Sequence, residues 1–150
     1  VIIELYPNVA PKSVERFKFL IKKGEYNNVA FHRVIKNTLV QAGDLEFGKK
    51  NNLNYSYIGS GKSGYGSINS ELNYPFEFTA GTVALARTNQ KNTEDSQFFI
   101  LLVDAPLYQG EYSPVGKVIF GLDVLRKIKF DEKVEYVLRP DFINTFKLLK

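Results

Sequence analysis

The pattern of apolar and polar positions predicts a chain built mainly of short β-strands. Segment 1–6 (VIIELY) is rich in β-branched residues and is followed at once by Pro7, which ends it. Comparable apolar runs predict further strands at 29–35, 38–43, 81–87, 96–103, 116–121 and 136–150. In the last of these runs, Pro140 places the closing strand at an edge or a bulge.

Two segments have the apolar spacing of helices. In 10–26, apolar residues recur at helical intervals between Val14 and Ile21, and Pro11 suits a first helical turn. A shorter segment, 122–130, carries its apolar residues on one side. Strands with so few helices between them favour a closed antiparallel barrel with helical caps over a doubly wound sheet.

A long surface loop is predicted over 45–73, which is rich in Gly, Asn, Ser and Tyr. Within it, 59–67 (GSGKSGYGS) resembles the end of a phosphate-binding loop. Ser56 stands where the first glycine of that pattern belongs, and no buried strand precedes the segment. Both features argue against nucleotide binding, so we interpret the glycines as a source of backbone freedom.

Composition narrows the class of protein. The chain has 150 residues, of which 44% are hydrophobic and 24% charged, as expected for one globular domain over 1–150. No apolar run approaches the roughly 18 residues that span a bilayer, so no membrane span is expected. The chain begins at Val1 and lacks methionine, which predicts a trimmed N-terminus. Two locations are therefore compatible with the sequence: the protein is cytoplasmic, or it is periplasmic or exported.

The inventory of reactive side chains excludes several kinds of site. Cysteine is absent and His32 is the only histidine, so neither a zinc or copper site nor a thiol nucleophile is expected. The net charge of +4 comes from scattered basic residues without a recognition motif. We therefore predict no metal site and no nucleic-acid partner.

Segment 31–44 (FHRVIKNTLVQAGD) contains the side chains that are most informative about a functional site. If a three-residue loop ends at Thr38, Arg33 lies opposite Gln41, whereas a two-residue loop would put His32 there. In the first register a cation and an amide share one face with apolar residues. In the strand 96–103, alternation puts Gln97 and Phe99 on one face and Phe98 on the other. We expect Phe98 in the core and Phe99 in a shallow groove.

These motifs together resemble the cyclophilin family of peptidyl-prolyl cis-trans isomerases in its bacterial form. The resemblance rests on FHRVI and QAGD, then GTVALAR, then SQFFI, and it extends over nearly the whole chain. It implies a mainly β fold, a closed antiparallel eight-stranded β-barrel capped by two helices. A first strand ahead of VIIELY is missing, so one strand has been trimmed or the barrel closes differently. It also implies an enzyme that needs no cofactor.

The resemblance assigns roles residue by residue. Arg33 falls on the catalytic arginine of the family, and Gln41 falls on its glutamine partner. Backbone groups near Ala86 and Arg87 are expected to pair with an extended peptide. The family's substrate-binding positions fall on Thr38, Leu39, Ala86, Arg87, Gln97, Phe99, Leu107 and Tyr112. His32 matches a family histidine that is not the catalyst, which predicts that His32 is a hydrogen-bonded structural side chain. The alternative is that His32 acts as an acid or base, but the pattern contains no Asp or Ser partner for that role.

Three positions depart from the family pattern. Thr38 stands where a phenylalanine usually lines the proline pocket, Leu107 where many eukaryotic members have tryptophan, and Tyr112 where they have histidine. The second departure predicts weak binding of cyclosporin-type macrocycles. Segment 45–63 also looks longer than the usual loop, which changes access to the groove.

Two hypotheses about function follow. The first is an isomerase, a monomer that accelerates rotation about Xaa-Pro bonds in proline-containing peptides and in unfolded or flexible proteins, and so assists folding. The alternative is a cyclophilin-fold peptide-binding or chaperone module with weak or no activity, which the loss of a pocket ring at Thr38 motivates.

Overall fold

The computed structural model describes residues 1–149 and consists mainly of short strands. The strands are β1 (Ile2–Leu5), β2 (Val29–Ala30), β3 (Arg33–Ile35), β4 (Leu39–Ala42), β5 (Thr82–Leu85), β6 (Phe98–Leu101), β7 (Pro114–Phe120) and β8 (Phe142–Ile143). The helices are α1 (Pro11–Lys22) and α2 (Leu122–Leu125), and 3₁₀ turns occupy Lys50–Asn52 and Pro106–Tyr108. The prediction of a mainly β fold with two helices is confirmed. Among residues 1–149 no helix has the length and apolarity that a membrane crossing requires.

The strands form two separate antiparallel sheets. Six of them follow the order β1-β7-β5-β6-β4-β3, and β2 pairs with β8. Val29 of β2 also forms an isolated bridge with Lys49. Within residues 1–149 the predicted closure into one eight-stranded barrel is therefore not found, because the strands divide into an open six-stranded sheet and a separate pair. The predicted strand 29–35 divides at residues 31 and 32, so that its first half joins β8 and its second half joins β4. One continuous apolar run thus serves two sheets.

Helix α1 covers one face of the larger sheet. Its predicted apolar stripe is confirmed, since Val14, Phe17, Leu20 and Ile21 are all buried. The Phe17 ring meets the Phe98 ring edge-on at 5.1 Å between centroids. Each such side chain contributes roughly 1.5–3 kcal/mol by leaving water. This packing fixes the inner face of β6 and so determines which of its side chains remain for the outer face.

Two predicted elements are shorter than expected. The helix predicted over 122–130 ends at Leu125. After Arg126 the amides bond three residues back instead of four, as Lys127 N–H does to the Val124 carbonyl at 3.1 Å. The closing strand predicted over 136–150 is a strand only in β8, and its last residue, Lys150, lies outside the described residues. Pro140 has no N–H to extend a ladder, and it separates β8 from a single bridge between Tyr136 and Arg33.

Candidate active site

One row of paired residues crosses the larger sheet and defines the site. Ala84 on β5 pairs with Phe99 on β6, Phe99 pairs with Gln41 on β4, and Gln41 pairs with Arg33 on β3. Directly paired residues on neighbouring strands place their side chains on the same face. An arginine, an amide and an aromatic ring therefore lie side by side, on the face opposite to Phe98.

The turn between β3 and β4 sets this register. Ile35 pairs with Leu39, so the connection is the three-residue loop 36–38. Asn37 has a φ of 58°, in the left-handed region that asparagine tolerates better than most residues. Of the two registers that the sequence allowed, the structure has the one that places Arg33 opposite Gln41.

A cavity of about 640 Å³ opens on this face. It brings together eight of the ten residues predicted from the sequence, namely Arg33, Leu39, Gln41, Ala86, Arg87, Gln97, Phe99 and Tyr112. Sequence reasoning missed other parts of its wall, which come from residues 59–62, Tyr108, Glu135 and Tyr136.

Aromatic rings form the apolar end of the cavity. The Phe99 ring is almost fully buried and meets Tyr108 and Tyr112 edge-on, at 5.8 and 5.1 Å between centroids. Leu39 belongs to the same apolar cluster. Edge-to-face contacts of this kind favour a defined ring arrangement. The result is a preformed slot suited to a small apolar ring.

A chain of hydrogen bonds forms the polar end. Arg33 Nη1 donates to Gln41 Oε1 at 3.0 Å, and Gln41 Nε2 donates to Gln97 Oε1 at 3.0 Å. Gln97 Nε2 in turn donates to the carbonyls of Gly59 and Gly61, at 3.0 and 3.3 Å. The guanidinium is thus connected through two amides to the glycine-rich loop.

Glu135 holds the opposite edge of the guanidinium. Its Oε2 accepts from Arg33 Nε at 2.9 Å and from Arg33 Nη2 at 2.8 Å. An arginine has five N–H donors, and these contacts together with Gln41 engage three of them. Because the Glu135 side chain is 52% exposed, the ion pair contributes about 1 kcal/mol or less. Arg33 is therefore oriented and still has donors for a ligand.

Arg87 is held at another wall of the cavity. Its Nε donates to the Glu111 carbonyl at 2.9 Å, and its guanidinium lies 5.1 Å from the centre of the Tyr112 ring. The backbone N–H of Ala86 donates to the Gln97 carbonyl at 2.9 Å. That donor is used within the sheet, so the expected pairing of this segment with an extended peptide would have to use its other backbone groups.

Two predicted site residues lie outside the cavity lining. The Thr38 hydroxyl donates to the Lys36 carbonyl at 3.2 Å, so its side chain stabilises the turn instead. Leu107 is 88% exposed. The following residue, Tyr108, provides the contact with Phe99, because successive side chains of a tight 3₁₀ turn point in widely different directions. Pro106, at the first position of that turn, is a sequence signal from which it could have been found.

His32 is a buried, uncharged side chain. It is 1% exposed, and burial lowers its pKa from 6.5 to about 4, since the charged ring is poorly solvated there. The ring stacks on Tyr136 at 6.1 Å between centroids. The Ala30 backbone and the Gln97 side chain lie near the ring and oppose this shift in pKa. Neither ring nitrogen meets strict hydrogen-bond geometry with a partner in residues 1–149, so the expected hydrogen bond is not found. The buried, uncharged ring therefore packs against Tyr136, which itself lines the cavity.

Known proteins resemble this chain in both sequence and fold. The family model described as cyclophilin type peptidyl-prolyl cis-trans isomerase/CLD matches residues 1–147. A protein of Brucella suis named probable peptidyl-prolyl cis-trans isomerase is 41% identical over 146 residues, covering 95% of this chain and 74% of its own length. A peptidyl-prolyl cis-trans isomerase of Acinetobacter baylyi is 37% identical, with 84% and 64% covered.

A solved structure agrees with these relatives. The cyclophilin type peptidyl-prolyl cis-trans isomerase of Cryptosporidium parvum, crystallised in the presence of the dipeptide Ala-Pro, superimposes with a TM-score of 0.82 at 27% identity. The superposition covers 99% of this chain and 91% of that one. The resemblance inferred from the motifs is therefore confirmed, and the chain belongs to the family of cyclophilin-type peptidyl-prolyl cis-trans isomerases.

Proposed function

We propose that this isomerase acts in the cavity between Arg33 and Phe99. The observation that supports this location is a guanidinium with unused N–H donors, held on the same sheet face as a slot of aromatic rings. A proline ring fits the slot, and the imide nitrogen next to it then lies towards the cation. The two ends of the cavity therefore match the two parts of an Xaa-Pro bond.

The reaction requires stabilisation of a twisted amide, and no covalent bond is broken. Rotation about the bond is slow because resonance imposes a barrier of about 18–20 kcal/mol. In the twisted transition state the proline nitrogen loses conjugation and regains a lone pair. A donor directed at that lone pair binds the twisted form better than the planar one, which is the condition for catalysis.

Arg33 is the proposed donor. Its guanidinium stays charged at all ordinary pH values, so the donor is present without any proton transfer. Gln41 and Glu135 hold it from two sides, which lowers the entropy lost when the transition state forms. We assign Gln41 the role of partner to the catalytic arginine.

Phe99 and its neighbours are proposed to grip the proline ring while the preceding carbonyl swings. Leu39, Tyr108 and Tyr112 complete this apolar surface. A millionfold acceleration corresponds to roughly 8 kcal/mol. A charged hydrogen bond, exclusion of water and orientation of the ring together supply energies of that order.

The proposed substrates are exposed proline-containing segments of peptides and of unfolded or flexible proteins. The Ala-Pro dipeptide present with the Cryptosporidium relative supports this class. The cavity opens on the outer face of the sheet, where an extended chain has access to it. We further propose that the protein acts as a monomer and binds cyclosporin-type macrocycles weakly, since no tryptophan stands at the exposed position 107.

Exchange NMR on a short Ala-Pro peptide tests the proposal against the alternative, a binding module without activity. We expect catalytic amounts of the protein to produce exchange cross-peaks between the cis and trans forms within seconds, whereas the uncatalysed reaction takes tens of seconds or longer. If the chemical shifts of Phe99 change on addition of peptide, but no cis-trans exchange is detected, the protein is a binding module without activity.

A further inference from the structure

Asp44 is a buried carboxylate at the base of the glycine-rich loop. It is 0% exposed, and both of its oxygens accept hydrogen bonds from the backbone. Oδ1 accepts from the N–H groups of Glu46 and Phe47 at 3.0 and 2.8 Å. Oδ2 accepts from those of Gly59 and Gly61 at 2.7 and 3.0 Å. One side chain therefore joins the beginning of the loop to its return.

The contact at Gly61 leaves no space for a side chain. A Cβ at this position would lie 1.8 Å from Asp44 Oδ1, far inside van der Waals contact. At Gly59 the φ of 96° is one that other residues rarely adopt, and a Cβ would lie 2.8 Å from the Tyr136 ring. The two glycines therefore permit the carboxylate and the loop backbone to approach closely.

The carbonyls of the same two glycines determine how the Gln97 amide is oriented. They accept from Gln97 Nε2, because two carbonyl oxygens cannot face the amide oxygen without repulsion. Gln97 Oε1 must then point towards Gln41, which turns the Gln41 NH₂ group towards it. The Gln41 oxygen is left facing Arg33.

We propose that Asp44 is a positioning residue for Arg33. By fixing the carbonyls of Gly59 and Gly61, it sets the orientation of both glutamine amides, so that Gln41 presents an acceptor to the guanidinium. If the Gln41 amide were reversed, its NH₂ group would face the N–H donors of Arg33. Repulsion between the two sets of donors would then displace the guanidinium from the row. This inference rests on the proposed role of Arg33 in catalysis.

A purely structural role for Asp44 makes a different prediction. If the carboxylate only stabilises the loop, its loss reduces activity by the same factor whether or not Gln41 has an amide. If it acts through the amide chain, its loss has little further effect once the Gln41 amide is gone. A double-mutant cycle separates the two, because it measures coupling between the two positions.

The experiment compares Asp44→Asn in the wild type and in a Gln41→Leu background, with stability measured for each variant. We expect Asp44→Asn to lower kcat/KM about tenfold in the wild type, mainly through kcat, and less than about twofold in Gln41→Leu. The Arg33 Nε–H resonance should shift in Asp44→Asn, and that shift is independent of turnover. Equal losses in both backgrounds, or an unshifted resonance, would overturn the proposal.

A second variant covers the case in which Asp44→Asn does not fold. Gln97→Leu cuts the chain between the loop and Gln41 while leaving the hydrogen bonds of Asp44 in place. It should show the same coupling to Gln41→Leu, and additive losses would contradict the inference. If Arg33→Ala retains full activity, the proposed function itself fails; if Arg33→Ala is inactive and the coupling is absent, only the role of Asp44 fails.

Discussion

Arg33 and Gln41 stand directly opposite each other on β3 and β4, and the guanidinium donates to the amide oxygen at 3.0 Å. The contact predicts that Gln41→Leu, which keeps the approximate volume but removes the acceptor, lowers kcat/KM about tenfold, equivalent to about 1.4 kcal/mol. A protease-coupled assay on an Xaa-Pro peptide measures the loss. An unchanged rate in a folded variant would show that Arg33 needs no partner.

Phe98 and Phe99 are adjacent in sequence and lie on opposite faces of β6, which makes them a matched pair. Phe99→Leu should raise KM several-fold, because the slot loses the ring that meets Tyr108 and Tyr112. Phe98→Leu should cost about 1–2 kcal/mol in the free energy of unfolding and leave KM unchanged. Steady-state kinetics and urea unfolding of both variants test this. A KM effect confined to Phe98→Leu would contradict the assignment of faces.

Leu107 and Tyr108 provide a second matched pair in the 3₁₀ turn. Removing the Tyr108 ring breaks its contacts with Phe99 and Tyr112, and each aromatic pair is worth about 0.5–1.5 kcal/mol. Tyr108→Ala should therefore weaken binding of an Ala-Pro peptide about fivefold or more, as measured by NMR titration. Leu107→Ala should change it less than twofold, since that side chain is 88% exposed. If Leu107→Ala weakened binding more than Tyr108→Ala, the result would support the sequence-based assignment of Leu107 to the site and contradict the placement of Tyr108 there.

Burial of His32 predicts a pH-dependent stability. Its pKa is about 4 in the folded protein and 6.5 when exposed, so between these values only the unfolded chain binds the proton. The contribution of neutral His32 is therefore complete above pH 6.5 and is lost as the pH falls towards 4, by about 3 kcal/mol. Urea unfolding at several pH values should show this loss.

His32→Phe is the control for that titration, because it keeps a buried ring and leaves the carboxylates in place. The difference in unfolding free energy between wild type and variant should vary with pH between 4 and 6.5. Parallel profiles would show that His32 titrates normally. Activity should be independent of pH between 6.5 and 8.5, since Arg33 remains charged throughout.

Much of the site could be predicted because it depends on local periodicity. Strand alternation assigned Phe98 and Phe99 to opposite faces, and the length of the loop at 36–38 limited Arg33 to one of two registers. The apolar stripe of α1 was equally visible, since helical spacing is a property of neighbouring residues.

The remaining parts depend on long-range pairing that no local pattern encodes. Glu135 reaches Arg33 across 102 positions of sequence, from a segment without strand periodicity. The predicted strand 29–35 has uniform β propensity, yet its two halves find partners in different sheets. The barrel was predicted closed for the same reason, because closure depends on which edges meet rather than on the strands themselves.

The most direct test of the account is the rate of Xaa-Pro isomerisation by wild type, Arg33→Ala, Arg33→Lys and Arg126→Ala. Arg126 is an exposed arginine at the end of α2, outside the cavity lining, and serves as the matched control. We predict that Arg33→Ala lowers kcat/KM at least about 100-fold, a loss of roughly 3 kcal/mol, and that Arg33→Lys recovers little because lysine lacks the planar fork. Arg126→Ala should match the wild type. An Arg33→Ala variant that is folded and as active as Arg126→Ala would show that the Arg33 guanidinium is not the catalytic group.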